Sequence, residues 1–373
     1  MAKRNPRYLD VGAGKKISRI GLGTWQFGAK EWGNGTAQAD QTAHAIVRRA
    51  LELDVTLFDT AEIYGSGRSE RILGQALGRH RDSVFLATKI FPVAPSVSMV
   101  RRRAAASMRR LGVSRLDLYQ AHWPSPLVPD SVLMRGMRSL QRAGLVGDVG
   151  VSNYRLQHWR AAENALGSRI LSNQVGYSLV DRSAELELIP FAESHDRVVI
   201  AFSPLAQGLL SGGYHGADRP LNRVRAASPA FHPENLRHTA DLIAVLRDVA
   251  EAHSATPAQI ALAWVIRSPA VVAIPGASSV AQLEGNVAAA DIELADQEYL
   301  ALCSASARFR PAAQDASADR SRVELTQSAR RTWYVAKTSW HDFMVRARPS
   351  LQAGDTERGF SGGERMQSKQ EGS

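Results

Sequence analysis

Cysteine is almost absent: Cys303 is the one residue of its kind in 373. That excludes a disulfide framework and any cysteine-based zinc site, and it suits a reducing cytoplasm. No run reaches the ~18 apolar residues of a membrane-spanning helix, so no membrane partner is expected. The opening MAKRNPRYLD has no apolar segment, which argues against a secretory signal. Acidic residues are the scarcer sign, 36 against 46 basic, a formal balance of +10. The excess is spread out: residues 305–373 hold 12 Lys/Arg and 8 Asp/Glu, leaving +6 for the preceding 304. The densest cluster, Arg101, Arg102 and Arg103 with Arg109 and Arg110, interleaves with apolar residues as a solvated helix face does. Without a helix-turn-helix, zinc-finger or RNA-binding signature, it does not call for a nucleic-acid partner.

What the chain does have is rhythm. Short apolar, β-branched runs at Ile17–Leu22, Val55–Asp59, Val84–Lys89, Leu116–His122, Val146–Ser152, Ile170–Val175, Val198–Ser203 and Val271–Pro275 alternate with helix-length amphipathic stretches. The runs lack strict polar alternation, as in parallel strands covered on both faces. Predicted helices run from Asp40, as cap, to Leu53, Ser69 to Leu77, Ser96 to Leu111 and Asp130 to Ala143. Others cover Tyr154 to Leu166, Ser183 to His195 and Pro233 to His253, and Thr256-Pro257 opens one more. Gly112 and Gly144 stand where left-handed caps would end two of them. Eight strand–helix units imply a (β/α)8 TIM barrel over residues 1–304. A doubly wound sheet would place its glycine fingerprint after the first strand, whereas Gly12-Ala13-Gly14 precedes it. A long Gly/Pro/Arg-rich loop follows strand seven. After Cys303 the period stops, so residues 305–373 read as a largely disordered polar, basic tail.

Asp59, Lys89 and His122 end three successive strands, and Tyr64 follows Asp59 by five residues. A barrel exposes such positions on one rim. A tyrosine holds a proton at neutral pH, a nearby ammonium favours its loss, an aspartate fixes the ammonium, and a histidine orients a carbonyl. Such a set can protonate a developing alkoxide. Lys89 acting instead through a Schiff base, as in a lyase, is an alternative use of the same residues.

The run DTAEIYGSGRSE, residues 59–70, resembles the signature of the aldo-keto reductase superfamily. GLGTWQFG (21–28), ATK (87–89), QAHWP (120–124), GVSNY (150–154), NQVGYSLVDR (173–182), AFSPLAQGLLSG (201–212) and IPGASSVAQLEGN (274–286) agree with it. The resemblance covers about residues 7–303. It implies a metal-free NADP-dependent oxidoreductase that reduces an aldehyde or ketone to an alcohol by hydride transfer. It implies Tyr64 as proton donor, tuned by Lys89 and Asp59, with His122 orienting the substrate. Ser152, Asn153 and Gln174 would hold the nicotinamide carboxamide, and Tyr177 would stack on the ring. Ser203, Leu205, Gln207 and Gly208 would cover the pyrophosphate. Gly276, Ser278, Gln282 and Asn286 would hold the adenosine end. Trp25, Phe27, Trp32 and Trp123 are candidate substrate contacts.

Two positions depart from the pattern. Ser278 stands where many relatives carry the cation that pairs with the 2′-phosphate of NADP, and Gly213 where many carry a lysine. Loss of a charge-assisted bond weakens discrimination by roughly 1.5–3 kcal/mol, so NAD becomes possible beside NADPH. The resemblance also leaves a second class open, a cofactor-sensing, channel-subunit-like binding protein with weak or no turnover.

Overall fold

The apolar runs become strands because both their faces are covered: one by the barrel interior, the other by helices. The protein is described by a computed structural model covering residues 7–309, except 13, 29–35, 94, 126, 215–222 and 227. A hairpin, β1 (Tyr8–Gly12) and β2 (Lys15–Ser18), precedes eight parallel strands: β3 (Leu22–Gly23), β4 (Leu57–Asp59), β5 (Phe85–Ile90), β6 (Leu116–Ala121), β7 (Val146–Ser152), β8 (Ile170–Gly176), β9 (Val198–Phe202) and β10 (Val271–Ala273). They lie in sequence order in one sheet. Parallel bridges Ile20 to Ala273 and Gly23 to Gly276 join its first and last members, giving the (β/α)8 barrel.

Inside, Leu57, Phe85, Ala87, Leu118, Ile200 and Val272 form one apolar cluster, which the hairpin residues Val11 and Ile17 plug from the N-terminal end of the strands. Outside, Phe58, Leu86 and Val149 face the helices in a larger cluster. The alternation fixes what reaches the rim. Asp59 follows inward Leu57 by two, Lys89 follows inward Ala87, and Gln120 follows inward Leu118.

Helix boundaries follow local chemistry. The first residues after β3 form a short turn, α1 (Trp25–Gly28). The Thr36 side chain, not Asp40, caps α2 (Ala37–Glu52); Asp40 lies in its first turn and accepts from Arg68. Gly67 precedes α3 (Arg68–Leu77), and α4 (Val97–Leu111) runs from the Ser96 cap to left-handed Gly112. Next come α5 (Asp130–Arg142) and α6 (Leu156–Leu166). The expected helix from Ser183 to His195 breaks into a 3-10 turn, Ser183–Glu185, and α7 (Leu188–Ser194). Pro190 lacks the N–H that a longer helix would use there. The long segment after β9 contains α8 (Arg223–Ala226), α9 (Pro233–His238) and α10 (Ala240–Ala252). The break at Thr239 divides the single helix expected from Pro233. Then follow α11 (Pro257–Val265), opened by a Thr256–Gln259 capping box, and α12 (Val280–Ala288).

The last helix, α13 (Asp296–Arg308), passes through position 305, and Ala305 and Ser306 are buried. The Ser306 hydroxyl donates to the Leu179 carbonyl at 2.5 Å, tying this turn to the barrel. The remainder expected to be disordered, from 310, lies outside the described residues.

The expected strand Ile17–Leu22 is split, because Arg19 points its guanidinium inward at the barrel seam. Its Nε donates to Val271 O at 2.9 Å and its Nη2 to Ser268 O at 2.6 Å and to Ile266 O. Burial lowers its pKa to about 10. Backbone bonds from Gly21 N to Ala273 O and from Ala273 N to Arg19 O, both 2.8 Å, complete the closure. Arg19→Met leaves these buried carbonyls unpaired and is expected to cost about 3 kcal/mol in urea unfolding. An unchanged midpoint and slope would contradict a closing role for Arg19.

Candidate active site

At the rim, the buried Lys89 ammonium has three partners: Asp59 Oδ1 at 2.5 Å, Thr60 O at 2.9 Å and the Tyr64 hydroxyl at 3.3 Å. These match its three N–H donors. Asp59 Oδ2 accepts from Gln174 Nε2 at 2.8 Å and Gln120 Nε2 at 3.2 Å. Tyr64 and His122 meet edge to face, with ring centroids 5.8 Å apart. The four residues expected to carry the chemistry are therefore together. Gln120 was missed; the signal was its place two residues before His122 on an inward-facing strand.

Tyr64 is positioned by backbone. Gly65 adopts φ +57°, and a Cβ there would come within 2.5 Å of Gly28 O. Glycine is thus needed at this turn for both conformation and close approach. Behind it, Thr24 Oγ1 donates to Asp59 O at 2.9 Å and Ser69 Oγ to Thr24 O at 2.7 Å. Half-buried Glu62, two residues before Tyr64, accepts from Phe91 N at 2.5 Å and Arg103 Nε at 2.9 Å.

The remaining expected contacts lie around the same rim. Ser152 Oγ donates to Gln174 O at 2.8 Å. Asn153, at φ +61°, donates through Nδ2 to His122 O and Ser152 Oγ, while its Oδ1 accepts from no described residue. Gln174 commits its amide donor to Asp59. Tyr177 is buried; its ring packs 5.3 Å from Trp264 and its hydroxyl donates to Glu185 Oε1 at 2.9 Å. After β9, Ser203 is exposed at φ +50°, Leu205 is half-buried, and Gln207 and Gly208 are left-handed at φ +59° and +95°. Buried Gln207 Oε1 has no hydrogen-bond partner among the described residues. After β10, Ser278 N and Oγ both donate to Gln282 Oε1, at 2.9 and 2.8 Å, and Asn286 Nδ2 donates to Gly276 O at 3.2 Å. A Cβ on Gly276 would fall 2.3 Å from the Gln26 carboxamide, so a larger residue there would have to displace the Gln26 side chain, which donates to Ala277 O at 2.8 Å.

Of the aromatic candidates, Trp123 is half-buried, 4.4 Å from the His122 ring and 4.7 Å from Phe91. Together with Ala61, Ile63 and Val93 they make an apolar patch beside Tyr64. Trp25 is half-buried after β3. Phe27 is buried in the core between barrel and helices instead of facing substrate, because the α1 turn rotates it inward. Trp32 lies outside the described residues.

The model of the Aldo/keto reductase family matches residues 19–307. The chain belongs to this family. An uncharacterised oxidoreductase of Mycobacterium tuberculosis is 57% identical over 305 residues, spanning 82% of this chain and 94% of that one. Glycerol dehydrogenase AKR11B4 from Gluconobacter oxydans superposes with a TM-score of 0.74 at 27% identity, covering 84% and 99% of the two chains. An aldo/keto reductase from Klebsiella pneumoniae, solved with NADP and acetate, gives 0.65 at 30% identity, covering 85% and 99%. The protein is a carbonyl-reducing oxidoreductase that works with a nicotinamide cofactor. Nothing in the fold or among these relatives favours the channel-subunit alternative.

Burial sets the protonation of the reductase's site. Burial pushes the Tyr64 phenol up, and this outweighs the downward pull of Lys89. The ammonium does not pre-ionise the tyrosine, contrary to the simplest reading of their proximity. Burial alone would lower Lys89, but Asp59 and Tyr64 raise it above its ordinary value. Burial, then the Lys89 charge, holds His122 well below the ordinary imidazole range, and its Nδ1 is buried without a partner among the described residues. An unfolded chain takes up a proton at this histidine near pH ~6.5 while the folded chain does not, so this group's contribution lowers stability on acidification. The His122 ring signal in NMR is expected to stay flat through the pH range in which an exposed imidazole titrates. A titration near the ordinary value would contradict burial as its governing influence.

Proposed function

We propose that Tyr64 is the general acid of carbonyl reduction and that Lys89 and Asp59 hold and polarise it. The observation that carries this reading is the chain Asp59–Lys89–Tyr64, in which a buried, fully partnered ammonium gives its last N–H to the phenol. A reduced nicotinamide held by Ser152, Asn153 and Gln174 would supply the hydride for the carbonyl carbon and leave as the oxidised ring. Tyr64 delivers the proton to the carbonyl oxygen, and the Lys89 charge offsets the phenolate left behind. Neutral His122 hydrogen-bonds the carbonyl oxygen and sets its direction. Trp123 and Trp25 supply the apolar wall of a small carbonyl substrate's pocket.

The residues present suit a nicotinamide dinucleotide. Asn153 Oδ1 has no described donor, as a carboxamide-binding group would, and Gln207 Oε1 is likewise unmatched. Ser152 and Gln174 orient Asn153 and Asp59, and Tyr177 stands beside them with its ring braced on Trp264. Ser203, Leu205, Gln207 and Gly208 line the diphosphate end, and Gly276, Ser278, Gln282 and Asn286 the adenosine end. NADPH is the expected donor, with NADH in use as well because Ser278 brings no charge to the 2′ position. A cytoplasmic location fits a chain with one cysteine.

Tyr64→Phe is expected to lower kcat for aldehyde or ketone reduction by roughly 10²–10⁴-fold while leaving NADPH affinity nearly unchanged. Full turnover by that variant would remove Tyr64 from the acid's role. Ser278→Arg should raise the NADPH-to-NADH ratio of kcat/KM about tenfold or more. An unaltered ratio would mean that position 278 does not face the 2′ group.

A further inference from the structure

The loop after β9 lacks the cation expected at Gly213, yet a guanidinium reaches it from the long segment that follows. Arg225, in α8, donates from Nε to Gln207 O at 2.9 Å. Its guanidinium lies 5.2 Å from the centre of the Tyr214 ring, and Tyr214 in turn meets buried Phe231 edge to face at 5.0 Å. Two turn bonds fix that arrangement, Ser228 N to Arg225 O at 2.9 Å and Phe231 N to Ser228 O at 3.0 Å. Gly208 completes the fit: the position its Cβ would occupy is 3.7 Å from Arg225 Nη2 and 3.6 Å from the Tyr214 ring. A built stack, Phe231–Tyr214–Arg225, thus sets one positive charge on the left-handed turn Ala206–Gly208. In the same turn, Gln207 Oε1 is buried without a hydrogen-bond partner among the described residues.

We propose that Arg225 supplies the positive charge for the cofactor's diphosphate, from the segment after β9 in place of a lysine at Gly213. The inference rests on the cofactor reading above and adds a residue which that reading does not contain. The physical argument is one of charge. A dianionic bridge needs compensation, Gly213 and Ser278 provide none, and a guanidinium held by ring stacking and a backbone carbonyl arrives pre-oriented. The bulky ring beneath it limits the rotamers it must give up on binding.

The test is cofactor affinity of the full-length protein, read by quenching of intrinsic fluorescence and needing no turnover. Arg225→Gln is expected to weaken NADPH and NADH alike, by about tenfold to a hundredfold. Arg225→Lys keeps the charge and should lose far less. Binding of 2′-AMP, which has no diphosphate, should be unaffected in both variants. Equal losses for Gln and Lys, no loss for Gln, or a matching loss with 2′-AMP would each overturn the assignment to the diphosphate. Wild-type protein that bound neither dinucleotide would overturn the cofactor reading itself. Circular dichroism melting of each variant distinguishes lost affinity from lost fold.

Discussion

The ion pair between Lys89 and Asp59 is the interaction on which the site is organised. Both groups are almost fully buried, and desolvating two charges costs several kcal/mol per ion unless every remaining donor and acceptor finds a partner. Here they do: Lys89 spends its donors on Asp59, Thr60 and Tyr64, while Asp59 takes two carboxamides on its second oxygen. Such saturation fixes direction as well as charge. With its other donors tied, the ammonium can turn only one N–H toward Tyr64.

The fold supplies these groups from separate strands because a parallel barrel brings all strand ends to one rim. Asp59 ends β4, Lys89 is the penultimate residue of β5, Gln120 lies near the end of β6, and Gln174 comes from β8. The loops after β9 and β10 carry left-handed and glycine positions that let backbone come close to a ligand. The positive charge counted over the sequence acquires a specific location where Arg225 is stacked against the first of these loops.

Much of this was legible from periodicity. The eight-strand rhythm, the glycine stop at Gly112 and the grouping of Asp59, Tyr64, Lys89 and His122 all follow from residue pattern and strand-end position. What was not legible depended on tertiary partners. Ile17–Leu22 looks like one strand until Arg19 finds carbonyls on the segment around β10. Asp40 and Thr36 are both competent caps, and only geometry chooses Thr36. Phe27 reads as a pocket aromatic because a four-residue turn leaves no period to show that it faces the core. The fall in Tyr64 pKa expected from a neighbouring ammonium reverses because burial, invisible in composition, is the larger effect. Arg225 looks like one more basic loop residue until Tyr214 and Gln207 are beside it.

The central claim is that the buried ammonium, held by Asp59, is what makes Tyr64 an effective acid. Lys89→Met tests it most directly, through the single-turnover rate of carbonyl reduction at saturating NADPH. The account predicts a fall of roughly 10²–10⁴-fold with NADPH affinity nearly intact. A variant that kept the wild-type rate would contradict it.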